Sequence, residues 1–233
     1  TRLAGIVSGK LSQFFLGSIS SVGNVAFYEV PTRAAEAGSV VLNRALQVFY
    51  PSFAAMNRET DIGKIRDIFT SVLSIQLLVI TPFMLGVVLE GPALLTLWIS
   101  KDFSQSASII LNIIAATYFI SSFTNLPVFA AMSFNMPGIV SKYSIIRMAI
   151  TAIVVYPLVS NFGLAGAAWT LLLSELQAFA LIYETGRRVL GINLFKALGR
   201  PIAIHLLVST SLLAVYELAF RHTAWYTPLG AIP

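Results

Sequence analysis

The sequence predicts an all-α fold, a polytopic bundle of transmembrane helices, and three observations carry that prediction. Hydrophobic residues make up 57% of the chain and charged residues 11%, against about a quarter charged in ordinary soluble domains. The mean hydropathy is +0.82, and 233 residues could not cover that much apolar surface in water. Apolar segments of about 20 residues, the length a hydrocarbon core demands, recur along the chain with short polar breaks between them.

Taken in order, the opening segment, about 1–17, reads as the end of a span cut by the start of the chain, so the chain is expected to be a piece of a longer protein. The remaining spans are expected at about 27–52, 68–92, 105–133, 138–160, 163–184 and 201–220. No break between them leaves room for a soluble domain. Pro82, Pro92, Pro127 and Pro157 lie within or at the ends of spans, where proline means a kink. "NMPG" (135–138) is a tight turn, and "SNFGLAGAAWT" (160–170) offers small residues for close helix approach.

Orientation follows from the basic residues of alternating breaks. Arg58, Lys64 and Arg66 fall in 54–67, Lys142 and Arg147 in 134–147, and Arg187, Arg188, Lys196 and Arg200 in 186–200. The opposite set (18–26, 100–103, 160–163 and the last break) holds only Lys101 and Arg221. The positive-inside rule then puts the N-terminus and the basic breaks in the cytoplasm, with Trp98, Trp225 and Tyr226 as an outer aromatic belt.

The second span is unusual. "FYEVPTRAAEAGSVVLNRALQVFYP" (27–51) carries Glu29, Arg33, Glu36 and Arg44. On a helix these four share an arc of about 100° with Asn43 and Gln47, while Ala34, Ala37, Gly38, Val41, Ala45 and Val48 form a small-residue face for lipid or helix packing. Such a stripe belongs against a protein interior or a water-filled cavity. Glu29 and Glu36 stand four before and three after Arg33, so Arg33 can be neutralised within its own helix. Arg44 has no such carboxylate. It must pair with another helix, snorkel to the cytoplasmic interface, or meet an anion brought by a substrate. Either the stripe is a structural ion-pair ladder, or Arg33 and Arg44 line a cavity for an anionic group such as phosphate.

Glu175 sits mid-span near Gln177, as a proton or sodium site, a partner for Arg44, or a protonated carboxyl in a packed interface. Gln76 and Asn112 are expected to make interhelical hydrogen bonds, Glu90 to be interfacial, and His205 and Glu217 to be structural or snorkelling. The net charge of +5 does not point to nucleic acid, because the charges are spread between apolar segments. There is no cysteine, and the two histidines, His205 and His222, form no catalytic or metal-ligating pattern with the carboxylates. The expectation is a non-enzyme with no metal and no cofactor, apart from protons or sodium as coupling ions.

Several segments together resemble the C-terminal half of a polysaccharide flippase of the multidrug/oligosaccharidyl-lipid/polysaccharide export superfamily. They are "VGNVAFYEVPTRAAEAGSVVLNRALQVFYPSFAAM" (22–56), "LLTLWISKDFSQSASIILNII" (94–114), and "FAAMSFNMPG" (129–138) followed by a span and "SNFGLAGAAWT". The resemblance covers about 13–190. Gln13 stands where that family often has an acidic residue, and "RMAITAIVVYP" (147–157) lacks a frequent Asn. The resemblance implies one lobe of a two-lobe transporter of the inner membrane, facing a missing N-terminal lobe across a cavity. It implies alternating-access transport of a polyprenyl-pyrophosphate-linked oligosaccharide for surface polysaccharides such as the O-antigen of lipopolysaccharide, with Arg33 and Arg44 on the helix that meets the pyrophosphate. Two other functions compete: a multidrug/cation antiporter of the same superfamily, which needs a net acidic cavity, and a membrane polysaccharide polymerase or ligase, which needs a large outer loop.

Overall fold

A computed structural model describes residues 22–57 and 59–194, and beyond them 199, 203, 205, 207–211 and 214–216. Every regular element among the described residues is helical: α1 (Val22–Leu46), α2 (Phe49–Ala54), α3 (Ile62–Trp98), α4 (Lys101–Ser122), α5 (Asn125–Ser133), α6 (Pro137–Glu175) and α7 (Gln177–Thr185), closed by a π-helical turn (Gly186–Leu190). Among the described residues, three stretches are long and apolar enough to cross a membrane: Ile62–Trp98, Lys101–Ser133 and Pro137–Leu190. The protein is thus a membrane-embedded helical protein. Helix α1 is long enough at 25 residues, but its four charged side chains keep it out of that set. The expected span at 1–17 lies outside the described residues, as do Arg58, Lys196, Arg200, Glu217, His222, Arg221, Trp225 and Tyr226 and most of 201–220.

Three of the expected spans, 27–52, 105–133 and 163–184, are broken, and proline explains the first two. Helix α1 gives way to α2 at Gln47–Val48, four residues before Pro51, and α4 gives way to α5 at Phe123–Thr124, four residues before Pro127. A proline ring has no N–H and clashes with the carbonyl four residues back. The break at Leu176, between α6 and α7, has no such cause in the local sequence. Pro82 and Pro92 instead sit inside one continuous helix, and Pro157 sits in α6 before Gly163. The breaks expected at 54–67 and 134–147 are shorter than the sequence suggests, since α3 starts at Ile62 and α6 at Pro137. Lys64, Arg66, Lys142 and Arg147 therefore stand on helices and not in loops. Pro137 at the first helical position is pre-set for such a start.

Within α6, Gly163 has φ 54° and ψ −125°, a backbone conformation open to glycine and costly for other residues. The chain reverses there. Arg147 and Glu175 would be about 42 Å apart on a straight helix, yet their side chains meet at 3.0 Å. Lys142 and Tyr143 reach Glu184 across the same fold, at 2.7 and 2.6 Å. The expected spans 138–160 and 163–184 are the two antiparallel arms of this hairpin. The arms touch backbone to backbone beside the turn: a Cβ on Gly166 would lie 1.9 Å from the Leu158 carbonyl oxygen.

The same bookkeeping of contacts orders the other helices. Ser104 Oγ donates to the Pro92 carbonyl at 2.6 Å and Gln76 Nε2 donates to the Ser122 carbonyl, so α3 and α4 are antiparallel about the turn at Ile99–Ser100. Phe27 stacks on Phe103 with centroids 4.5 Å apart, and Asn125 Nδ2 donates to Asn43 Oδ1 at 2.6 Å, so α1 runs parallel to α4. Arg66 Nε donates to the Leu190 carbonyl at 2.6 Å, satisfying an end-of-helix acceptor just before Gly191, which turns the chain at φ 65°. These contacts gather Lys64, Arg66, Lys142, Arg187 and Arg188 at one end of the bundle. Lys101 and the Gly163 turn lie at the other.

Apolar packing is divided between the two ends. At the basic end Phe53, Ile65, Phe69, Leu126, Ala130, Val140, Leu181 and Leu190 form one cluster. Towards the Gly163 turn Tyr28, Ala35, Ile110, Ile114, Val155, Val159, Ala167 and Ala168 form a second. The close approach at Gly166 is a test of this packing. Gly166→Ala is expected to destabilise the purified protein by about 1–3 kcal/mol, read as a lower unfolding temperature. Gly86→Ala, which adds its Cβ into open space, is expected to leave that temperature unchanged. Equal unfolding temperatures for the two variants would contradict the close contact of the arms.

Candidate functional site

The α1 stripe is placed by the face of the helix that packs. Tyr28, Pro31, Thr32, Ala35, Ser39 and Leu46 are buried against the bundle, and the Thr32 hydroxyl donates to the Tyr28 carbonyl at 2.7 Å. The burial of this face fixes the rotation of the helix. Arg33, Arg44 and Gln47 are left exposed, and Glu29, Glu36 and Asn43 half-buried. Ala34, Ala37, Val41, Ala45 and Val48 are exposed as well, so this small-residue face is not a helix-packing face of the described bundle. The packed face is a third one, rich in Tyr, Thr and Ser, which hydropathy alone does not distinguish from the polar stripe.

Along the stripe the two arginines differ. Arg33 lies between two carboxylates, 3.6 Å from Glu29 and 3.5 Å from Glu36, as the i,i+4 and i,i+3 spacings predict. Its side chain is 72% exposed, so these are solvent-screened pairs of small energy. Arg44 makes no ion pair among the described residues and is exposed. Its neighbour Asn43 is bonded to Asn125, at the break between α4 and α5. At 1.5 Å per residue the Cα atoms of Arg33 and Arg44 stand about 16 Å apart along one face.

Glu175 is not a partner of Arg44. Its carboxylate is 1% exposed and meets Arg147 Nη2 at 3.0 Å across the hairpin. Ser121 stands beside it, and Tyr118 lies within electrostatic reach of Glu175, Arg147, Arg33 and Glu36. Gln76 makes the expected interhelical bond to Ser122. Asn112 does not, being exposed. Glu90 is half-buried and accepts from the Tyr216 hydroxyl.

Arg147 and Tyr118 are the residues that sequence reasoning missed. Arg147 was assigned to a cytoplasmic break, although Pro137 is a strong signal for a helix start and puts position 147 nearly three turns inside. Tyr118 carried no signal, because an aromatic residue in an apolar run reads as core. Among the described residues no three His, Cys, Asp or Glu side chains gather in a way that could hold a metal ion.

Removing one partner of a buried ion pair leaves an uncompensated charge, at a cost of about 3–5 kcal/mol. Glu175→Ala is therefore expected to lower the unfolding temperature strongly, and the exchange Arg147→Glu with Glu175→Arg to recover part of the loss. Wild-type melting of Glu175→Ala would show that the pair does not hold the hairpin. Comparison of the chain with protein-family models, with curated proteins and with solved structures finds no match.

Proposed function

We propose that this chain is one lobe of an inner-membrane transporter that moves a polyprenyl-pyrophosphate-linked oligosaccharide by alternating access, without chemical conversion of it. The single observation that carries this reading is the state of Arg44: an exposed guanidinium on a polar stripe of a mostly apolar chain, with no carboxylate in reach among the described residues. A permanent cation kept unpaired in such surroundings is suited to an anion that arrives and leaves. The order of motifs in 22–56, 94–114 and 129–170 supports the same family of transporters, with a second lobe opposite the stripe.

The stripe also suggests how the load travels. Arg33 and Arg44 share a face and stand about 16 Å apart, a spacing at which an anion can pass from one guanidinium to the other. They act in succession. Arg33, with Glu29 and Glu36 on either side, holds the anion weakly, and Arg44 holds it more tightly. Coupling to protons or sodium is assigned to Glu175, acting through its pair with Arg147. In this scheme the fragment's N-terminus is cytoplasmic, and the basic end of the bundle faces the cytoplasm.

The test is made in the full-length protein in cells. Arg44→Ala is expected to lower surface polysaccharide by about tenfold or more, the worth of a charge-assisted hydrogen bond to phosphate, at an unchanged level of protein in the membrane. Arg33→Ala is expected to have the smaller effect, and Arg44→Lys to retain part of the activity. Normal polysaccharide in both alanine variants would overturn the cavity role. Drug resistance that depends on the same arginines would favour a cation antiporter instead.

A further inference from the structure

A second cationic site lies at the basic end of the hairpin, away from α1. Lys142 and Arg188 converge on Glu184, with Nζ at 2.7 Å from one carboxylate oxygen and Arg188 Nε at 3.1 Å from the other. The Tyr143 hydroxyl donates to Glu184 at 2.6 Å. Arg187 lies over the Tyr183 ring, 5.8 Å from its centroid, and donates to the Tyr183 hydroxyl at 3.3 Å. Two adjoining hollows of about 640 and about 470 Å³ share Glu184 and Arg188 as walls, the first reaching Lys142 and the second Tyr143, Tyr183 and Arg187. Two cations meet the one carboxylate and a third, Arg187, lines the adjoining hollow, so these four side chains carry three positive charges against one negative.

From this cluster two exposed apolar ridges run towards the Gly163 turn. On the first arm, Ile145, Ala149, Ile153 and Tyr156 continue the face of Lys142 at helical spacing, and all are exposed. On the second, Tyr183, Ala180, Phe179 and Leu176 continue the face of Arg187, again all exposed. The ridges extend about 21 Å and about 16 Å from their basic residues at 1.5 Å per residue. One leaflet of the hydrocarbon core is about 15 Å thick. A cationic, tyrosine-flanked hollow at the foot of two apolar ridges of leaflet length matches a single phospholipid, with its phosphate at the hollow and its acyl chains along the ridges.

We infer that the Lys142–Glu184–Arg187–Arg188 cluster is a binding site for a membrane phospholipid with an anionic headgroup. Glu184 holds Lys142 and Arg188 in place, and Tyr183 holds Arg187, so the phosphate meets pre-positioned donors at little entropic cost. A zwitterionic headgroup leaves the surplus charge uncompensated, which is the source of selectivity. The site depends on the membrane embedding of the chain and not on the transport reading of the α1 stripe.

The test uses the full chain purified in detergent, with bound lipid counted by native mass spectrometry. The probes are dioleoylphosphatidylglycerol, dioleoylphosphatidylcholine and inorganic phosphate. Phosphatidylglycerol is expected to bind in preference to phosphatidylcholine, with phosphate failing to displace it. Removing each basic side chain, in Lys142→Gln, Arg187→Gln and Arg188→Gln, is expected to lower that preference about fivefold. Arg187→Lys is expected to retain most of it, and Lys101→Gln, at the other end of the bundle, all of it. Arg187 is exposed, so its variants serve if Lys142→Gln or Arg188→Gln fails to fold. Equal binding of the two lipids, a preference that survives Arg187→Gln, or displacement by phosphate at matched concentration would each overturn the inference.

Discussion

The antiparallel hairpin of α6 and α7 about Gly163 is the contact on which the rest of the bundle depends. Its arms bring Arg147 to Glu175 and Lys142 and Tyr143 to Glu184. They also form the wall against which α4 packs through Ile110, Ile113 and Ile114. In hydrocarbon the helices gain little from burying apolar side chains against one another, because lipid is equally apolar. Close packing at small residues and paired polar groups must do the holding. Gly166 against the Leu158 carbonyl supplies the first, and the Arg147–Glu175 pair supplies the second.

The polar pairs inside the bundle are not scattered. Asn43 bonds Asn125, Gln76 bonds Ser122, and Arg147 pairs with Glu175, and the first two of these links cross the bundle at the level where α4 gives way to α5. The breaks at Gln47–Val48 and Leu176 fall in the same layer. Backbone groups freed at a helix break need partners where no water is at hand, and polar side chains gather where such groups are exposed. The apolar clusters at the basic end and towards the Gly163 turn lie on opposite sides of this layer. A further cluster of Ile80, Met84 and Ala115, with Phe119 and Phe123 packed on it, continues the apolar packing past this layer.

Charge is distributed to opposite effect in the two cationic regions. On α1 the arginines are separated by three helical turns, and carboxylates flank only one of them. At the basic end two cations are held on one carboxylate, and Arg187 lines the hollow beside them. Spacing along one helix suits an anion that moves. Convergence from two helices suits an anion that stays.

The sequence by itself determined the solvent and the class: too few charges for water, apolar segments of bilayer length, and hence helices. It also determined the pairing of Arg33, because residues three and four apart on one helix are neighbours whatever surrounds them. The turn at 160–163 was legible on other grounds, as a short break between two spans with glycine and small residues following it. What only the tertiary structure decided is which residues meet across helices. Glu175 found Arg147 and not Arg44 because the turn at Gly163 sets the register of the two arms, and a register depends on where a chain reverses to within a residue. The rotation of α1 was decided in the same way, by Tyr28, Thr32 and Ser39 packing inward. Helical periodicity assigns residues to faces, but only the neighbouring helices determine which face is covered.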